Sequence, residues 1–181
     1  MASVGSLKMA YKFTLHKEGI KRKFSVYVVV ARSGTDVKLY VGKTGDNREG
    51  CNPVISRCGN HFSYNKIHSQ VRNKLDDHEE RTYTYILDHF DSYSENEQER
   101  RSFIDKINEM ERWLNEEIQN LISRIKKGSL LNPYNSAGYI SESERTKRRE
   151  FRDDISWLKI QGIITEVEKE LSRQINQGDG E

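Results

Sequence analysis

Two short β-branched runs, six residues apart, constrain this chain more than any other feature. Phe24 to Val30 reads Phe-Ser-Val-Tyr-Val-Val-Val, and Val37 to Val41 reads Val-Lys-Leu-Tyr-Val. Such residues favour strands, and the intervening Ala-Arg-Ser-Gly-Thr-Asp is a turn sequence. An antiparallel hairpin ending at Gly42 is therefore expected. Tyr27 and Tyr40 lie one on each strand and should sit side by side if the strands pair. Gly45, Gly50 and Pro53 make residues 44–54 irregular. Two helices are expected next, near Val54 to Cys58 and near Tyr64 to Leu75. Thr82 to Leu87 has the composition of a third strand.

A helical period then runs from about Glu95 to Lys127. Ile104, Ile107, Leu114, Ile118, Leu121 and Ile125 form its apolar stripe, and the position the stripe skips is Glu111. A loop around Pro133 and Asn135 follows. Ser141 and Glu144 fit a capping box that opens a last helical region, which runs to about Ile175 with a break at Gly162. The expected fold is α+β: a small antiparallel three-stranded sheet flanked by helices, with a C-terminal helical extension. The expected divisions are a basic arm over 1–23, a central domain over 24–136 and the extension over 137–181.

Charge narrows the choice of partners. Residues 1–75 carry 14 Lys/Arg against 4 Asp/Glu, whereas residues 76–120 carry 5 against 14. These blocks either neutralise each other in the fold or leave a basic surface for an anionic partner such as nucleic acid. Lys8, Lys12, Lys17, Lys21, Arg22 and Lys23, interleaved with Tyr11 and Phe13, could follow a phosphate backbone. Lys147, Arg148, Arg149 and Arg152 form a second basic cluster. With 32% charged and 34% hydrophobic residues, the core must be modest. No apolar run approaches the ~20 residues of a membrane span, so no membrane partner is expected. Met1 to Lys12 lacks a secretory pattern, and Cys51 and Cys58 cannot build a disulfide framework; a cytoplasmic location is expected.

The ordered set of motifs resembles the GIY-YIG nuclease superfamily. Val26-Tyr27-Val28 stands where that family has Gly-Ile-Tyr, aligned on the tyrosine, and Tyr40-Val41-Gly42 stands for Tyr-Ile-Gly, followed by Lys43. Arg57 and His61 match its Arg-x-x-x-His, Tyr83 to Phe90 looks like its third strand, and Met110-Glu111 followed by Leu114 looks like its glutamate helix. Pro133-Tyr134-Asn135 looks like the segment with its late asparagine. The resemblance covers residues 24–136. Ser25-Val26 replaces the family's first glycine and isoleucine, and the spacing from Gly42 to Arg57 is longer than usual.

The resemblance implies a divalent-metal-dependent endonuclease hydrolysing phosphodiester bonds in DNA, of a restriction, phage or defence kind. Glu111 would hold Mg²⁺ or Mn²⁺; Glu117, nearer to Asn135 in sequence, is the alternative ligand. A single carboxylate is reasonable, because Mg²⁺ keeps several waters and takes phosphate oxygens. One of Tyr27 and Tyr40 would position or deprotonate the attacking water and the other would support the site; the base role needs a phenol with a lowered pKa. Arg57 would stabilise the transition state through its planar fork, with His61 one helical turn along. Lys43 would contact phosphate, and Asn135 would brace the site.

Other readings stay open. The same fold could serve as a non-catalytic nucleic-acid-binding or assembly module, or act on RNA. The apolar positions Phe151, Ile155, Leu158, Ile164, Val167 and Leu171 could cover the core or form a homodimer. Cys51, Cys58, His61 and His68 could bind zinc, although they lack the short paired knuckle of most structural sites. Gly42-Lys43-Thr44 is no phosphate-binding loop, since Val37 stands where the upstream glycine belongs.

Overall fold

A computed structural model describes residues 10–45, 51–134 and 141–173. The chain is α+β. The hairpin forms from β1 (Lys23–Ser33) and β2 (Asp36–Lys43), turning at Gly34 with φ of 56°. It is followed by α1 (Val54–Phe62), β3 (Thr82–Ser92), α2 (Glu97–Ile125), β4 (Ser129–Leu130), α3 (Glu142–Arg149) and α4 (Asp154–Ser172). The sheet order is β3-β1-β2-β4. The three expected strands pair antiparallel with β1 in the centre. The correction is β4, a two-residue strand that pairs parallel to β2 through Lys38–Ser129 and Leu39–Leu130 and makes the sheet mixed and four-stranded. So short a strand leaves no alternation for sequence periodicity to detect.

Because successive residues of a strand face opposite ways, β1 serves two cores. Val26, Val28 and Val30 join Val37, Leu39 and Val41 of β2 against Ile107, Met110, Leu114, Ile118 and Leu121 of α2. Ile160, Ile163, Val167 and Leu171 of α4 complete this cluster, so the last helix covers the core. Tyr27, Val29 and Ala31 face the other way, toward Val54 of α1 and the loop residues Val71 and Leu75.

The long helix lies where the stripe places it, capped by Asn96 at its start and ended by Lys126 in the left-handed region. Three expectations change. The helix expected over Tyr64 to Leu75 is a loop with one short 3-10 turn at Arg72–Lys74. Ser69 Oγ and the Asn65 side chain bond backbone groups there, in competition with a helical ladder. The last helical region breaks at residues 150–153, where Asp153 caps α4, and runs unbroken through Gly162. Ile155 and Leu158 stay exposed, whereas Ile160 and Ile163 are buried.

The acidic middle of the chain does neutralise part of the basic C-terminal cluster. Arg148 bridges Asp105 and Glu144, and Arg152 bridges Glu109 and Glu116. Lys147 and Arg149 remain exposed. Among the described residues, no helix is long and apolar enough to cross a membrane.

Candidate active site

The site begins at Tyr27. It is buried on the α1 side of the central strand, opposite Gly42 of β2. A Cβ at Gly42 would lie 2.6 Å from the Tyr27 ring and hydroxyl, so the ring lies across the backbone of that residue. Tyr40 pairs with Val29, which makes Tyr27 and Tyr40 diagonal neighbours on one face rather than directly opposed. Only glycine permits this arrangement, since any side chain at position 42 would occupy the space of the phenol.

Helix α1 closes over the two tyrosines. His61 in its last turn is buried, and its Nε2 lies 2.8 Å from the Tyr27 hydroxyl. The His61 ring meets Tyr40 edge-on, with centroids 4.9 Å apart. Burial first, and the Arg57 charge second, push the imidazole down to about 4, so it is neutral near pH 7. Burial also raises the Tyr27 phenol well above its usual value; Tyr40 and Glu111 add to this, and Arg57 opposes it. The resting pair is thus a phenol beside a neutral imidazole. The phenol is the better donor, which leaves the ring proton on Nδ1, a buried atom with no hydrogen-bond partner. The lowered phenol pKa expected for a base is the reverse of what burial produces here.

Glu111 comes from the other side of the sheet. It is a buried residue on the apolar stripe of α2, and Lys43 Nζ donates to its Oε2 at 2.6 Å. Both side chains are largely covered, at 16% exposure for Lys43 and 10% for Glu111. Lys43 is at the end of β2, where alternation turns it toward α2. The two sides therefore meet at this strand end, and Tyr27 feels the charges of both Arg57 and Glu111. Glu117 stands six residues further along α2, about 120° away around the helix, so it cannot share the orientation of Glu111.

Asn132, Asn115 and Tyr134 complete the site, and of these only Tyr134 lies in a segment the sequence singled out. Beyond Leu39, β2 is no longer paired by β4. There the Asn132 side chain acts as the next strand: its Oδ1 accepts from the Val41 N–H and its Nδ2 donates to the Val41 carbonyl. Asn115, fully buried one turn after Glu111, donates to the Asn132 carbonyl and accepts from the Tyr134 N–H. Tyr134 in turn bonds Glu111, and burial followed by the Glu111 charge pushes its phenol up.

The expected residues Tyr27, Tyr40, Lys43, Arg57, His61 and Glu111 are thus gathered into one cluster. Asn135 and Lys8 lie outside the described residues. The zinc set does not assemble: among the described residues, no three His, Cys, Asp or Glu side chains converge as a metal group. Cys51 and Cys58 are not joined in a disulfide. For Mg²⁺ or Mn²⁺ the donor set fits in one form, a single hard carboxylate at Glu111 with the remaining positions left to water and phosphate oxygens. Comparison with family models, with curated proteins and with solved structures returns no match for this chain.

Proposed function

We propose that this chain is a divalent-metal-dependent endonuclease that hydrolyses DNA phosphodiester bonds at the Tyr27–His61–Glu111 cluster. The observation that carries this reading is the meeting of a phenol–imidazole pair with an arginine and a carboxylate from opposite sides of one sheet. Attack of water on phosphorus forms one P–O bond, breaks the bond to the departing sugar oxygen, which takes a proton from solvent, and releases one proton from the attacking water. Tyr27 can take it while passing its own proton to His61 Nε2, which regenerates the phenol and leaves an imidazolium. A buried imidazole beside Arg57 resists that charge at rest. A phosphate seated on Arg57 offsets the arginine and makes the transfer easier. The Arg57 fork matches the equatorial phosphate oxygens. Lys43 and Tyr134 hold the Glu111 carboxylate in place. Glu111 would hold the metal ion, which when bound supplies Lewis-acid stabilisation of the phosphate.

The exposed bases Lys12, Lys17, Lys21 and Arg22 of the N-terminal arm would add backbone affinity of little sequence preference. A homodimer through the exposed Ile155 and Leu158 of α4 would offer two such sites to one duplex.

A second reading is a non-catalytic nucleic-acid-binding module on the same fold. The closed state of the reactive groups favours it: Tyr27 is buried against His61, and Glu111 is neutralised by Lys43. Plasmid cleavage in Mg²⁺ or Mn²⁺, with an EDTA control, separates the two. The nuclease reading expects metal-dependent nicking that falls at least ~100-fold in Glu111→Ala and persists in Glu117→Ala, since loss of one transition-state contact costs about this much. Retention of DNA without cleavage in any metal, on a library of random sequences, would support the binding module.

A further inference from the structure

The loop that follows α1 carries a second feature, distinct from the cluster beneath it. Tyr64 and Ile67 are 80% and 75% exposed, unusual for an aromatic and a branched aliphatic side chain. They do not project from a slack segment. Ser69 Oγ donates to the carbonyls of Ser63 and Asn65, Arg72 Nε donates to the Ser63 carbonyl, and Asn73 Nδ2 donates to the Lys66 carbonyl. The buried Val71 and Leu75 anchor the loop to the sheet. One face of the Tyr64 ring rests on the Arg72 guanidinium, 4.6 Å from the ring centroid. A rigid frame therefore holds an aromatic plate and an apolar tip out in solvent.

The charge of the segment is of one sign. Residues 51–75 contain Arg57, Lys66, Arg72 and Lys74 and no Asp or Glu. Lys66 and Lys74 are exposed on the loop. A neutral protein surface or an uncharged lipid surface would be served by the apolar pair alone. An aromatic plate backed by a guanidinium and flanked by lysines, with the first carboxylates of the chain past the loop's end at Asp76 and Asp77, matches a ligand that alternates flat apolar faces with negative charges. Nucleic acid has that form. Position agrees: from Arg57 to Tyr64 the chain advances about 10 Å at helical rise, a reach of a few nucleotides.

We propose that the loop over residues 63–75 is a nucleic-acid contact, with a base stacked on Tyr64 and phosphates held by Lys66 and Lys74. This rests on the reading of the cluster as a nucleic-acid site and assigns a second contact to the same strand. It divides labour: stacking adds affinity insensitive to salt, and the lysines add affinity that salt removes.

Fluorescence anisotropy of the full chain with a labelled mixed-sequence duplex and a labelled single strand tests it, in EDTA so that cleavage plays no part. Titrations run from about 50 to 300 mM salt. Tyr64→Ala should weaken binding roughly 5- to 100-fold with an unchanged salt slope, and Tyr64→Phe should bind like wild type. Lys66→Ala combined with Lys74→Ala should lower the slope of log affinity against log salt by about 2. Wild-type affinity and slope in both Tyr64→Ala and the lysine pair would overturn the proposal, as would the absence of any binding by the wild-type chain. The second outcome removes the nucleic-acid reading as well, whereas the first leaves it standing. Loss of binding in the loop variants, alongside failure of metal-dependent cleavage, would keep the loop contact and discard the nuclease.

Discussion

The two faces of the sheet share a central strand yet differ in kind. On one face, Val26, Val28 and Val30 meet two long helices in an aliphatic core that includes Ile107, Met110, Ile118, Ile160 and Val167. On the other, Tyr27 and Val29 meet a nine-residue helix and a loop in a smaller core, where Val54, Val71 and Leu75 are mixed with the rings of Tyr40, Phe62, Tyr83 and Tyr85. The aromatic face holds an imidazole, phenols and a guanidinium that an aliphatic core would reject without partners. It can do so because the opposite face carries most of the apolar burial. Glu111 and Lys43 are the exception: they cross from the aliphatic side at the strand end, where the two environments join.

That contrast can be broken from either side. The largest expected effect is on the aliphatic face. Ile118→Ala should cost about 2–5 kcal/mol of stability, read as a lower urea midpoint. The chemical shift of the His61 ring should stay in place, and movement of that signal would mean the two faces are coupled.

Next comes the pH dependence of the aromatic face. The unfolded chain protonates His61 near 6.5, whereas the fold delays this to about 4. The fold therefore favours the neutral ring. Its contribution is complete above pH 6.5 and is lost as the pH falls toward 4. The shift corresponds to about 3 kcal/mol. Urea titrations of wild type and His61→Gln across that window should show the difference between them shrinking by this order on acidification. A difference that stays constant with pH would place the imidazole in contact with water.

The smallest effect on stability, and the sharpest on the site, is expected from Gly42→Ala. Its methyl group meets the Tyr27 ring at 2.6 Å, so the ring must move. Overpacking of this kind costs about 1–3 kcal/mol. The displaced hydroxyl should lose His61, so the midpoint of the ring's NMR titration should change. An unchanged midpoint would show that Tyr27 has room the packing does not reveal.

Much of the architecture was legible in the chain itself. The hairpin, the third strand and the 29-residue helix follow from composition and period, which act over a few neighbouring residues. Glu111 was visible as the one carboxylate on an apolar stripe. Arg57 and His61 were visible as a pair four apart, although spacing alone did not show that α1 would be long enough to hold both. The loop after α1 was misread because Asn65 and Ser69 take backbone bonds that propensity assigns to a helix. The Asn132 and Asn115 brace left almost no trace, since an asparagine serving as a strand edge looks like any loop asparagine. The basic cluster near Arg148 and Arg152 read as a patch because three of its acidic partners, Asp105, Glu109 and Glu116, lie some forty residues away.

By itself, then, the sequence determined the hairpin, the third strand and the long helix, their order, and the chemical types available to a site. These depend on local backbone preference and on alternation, which need no knowledge of distant neighbours. Tertiary structure decided the rest. It set Gly42 rather than Tyr40 opposite Tyr27, brought Lys43 onto Glu111 across 68 residues of chain, and laid α4 on the core. It also decided that Tyr27 rests as a phenol and His61 as a neutral ring. Register and burial arise from contacts between remote segments, and a proton's affinity follows the water and charge those contacts leave around it.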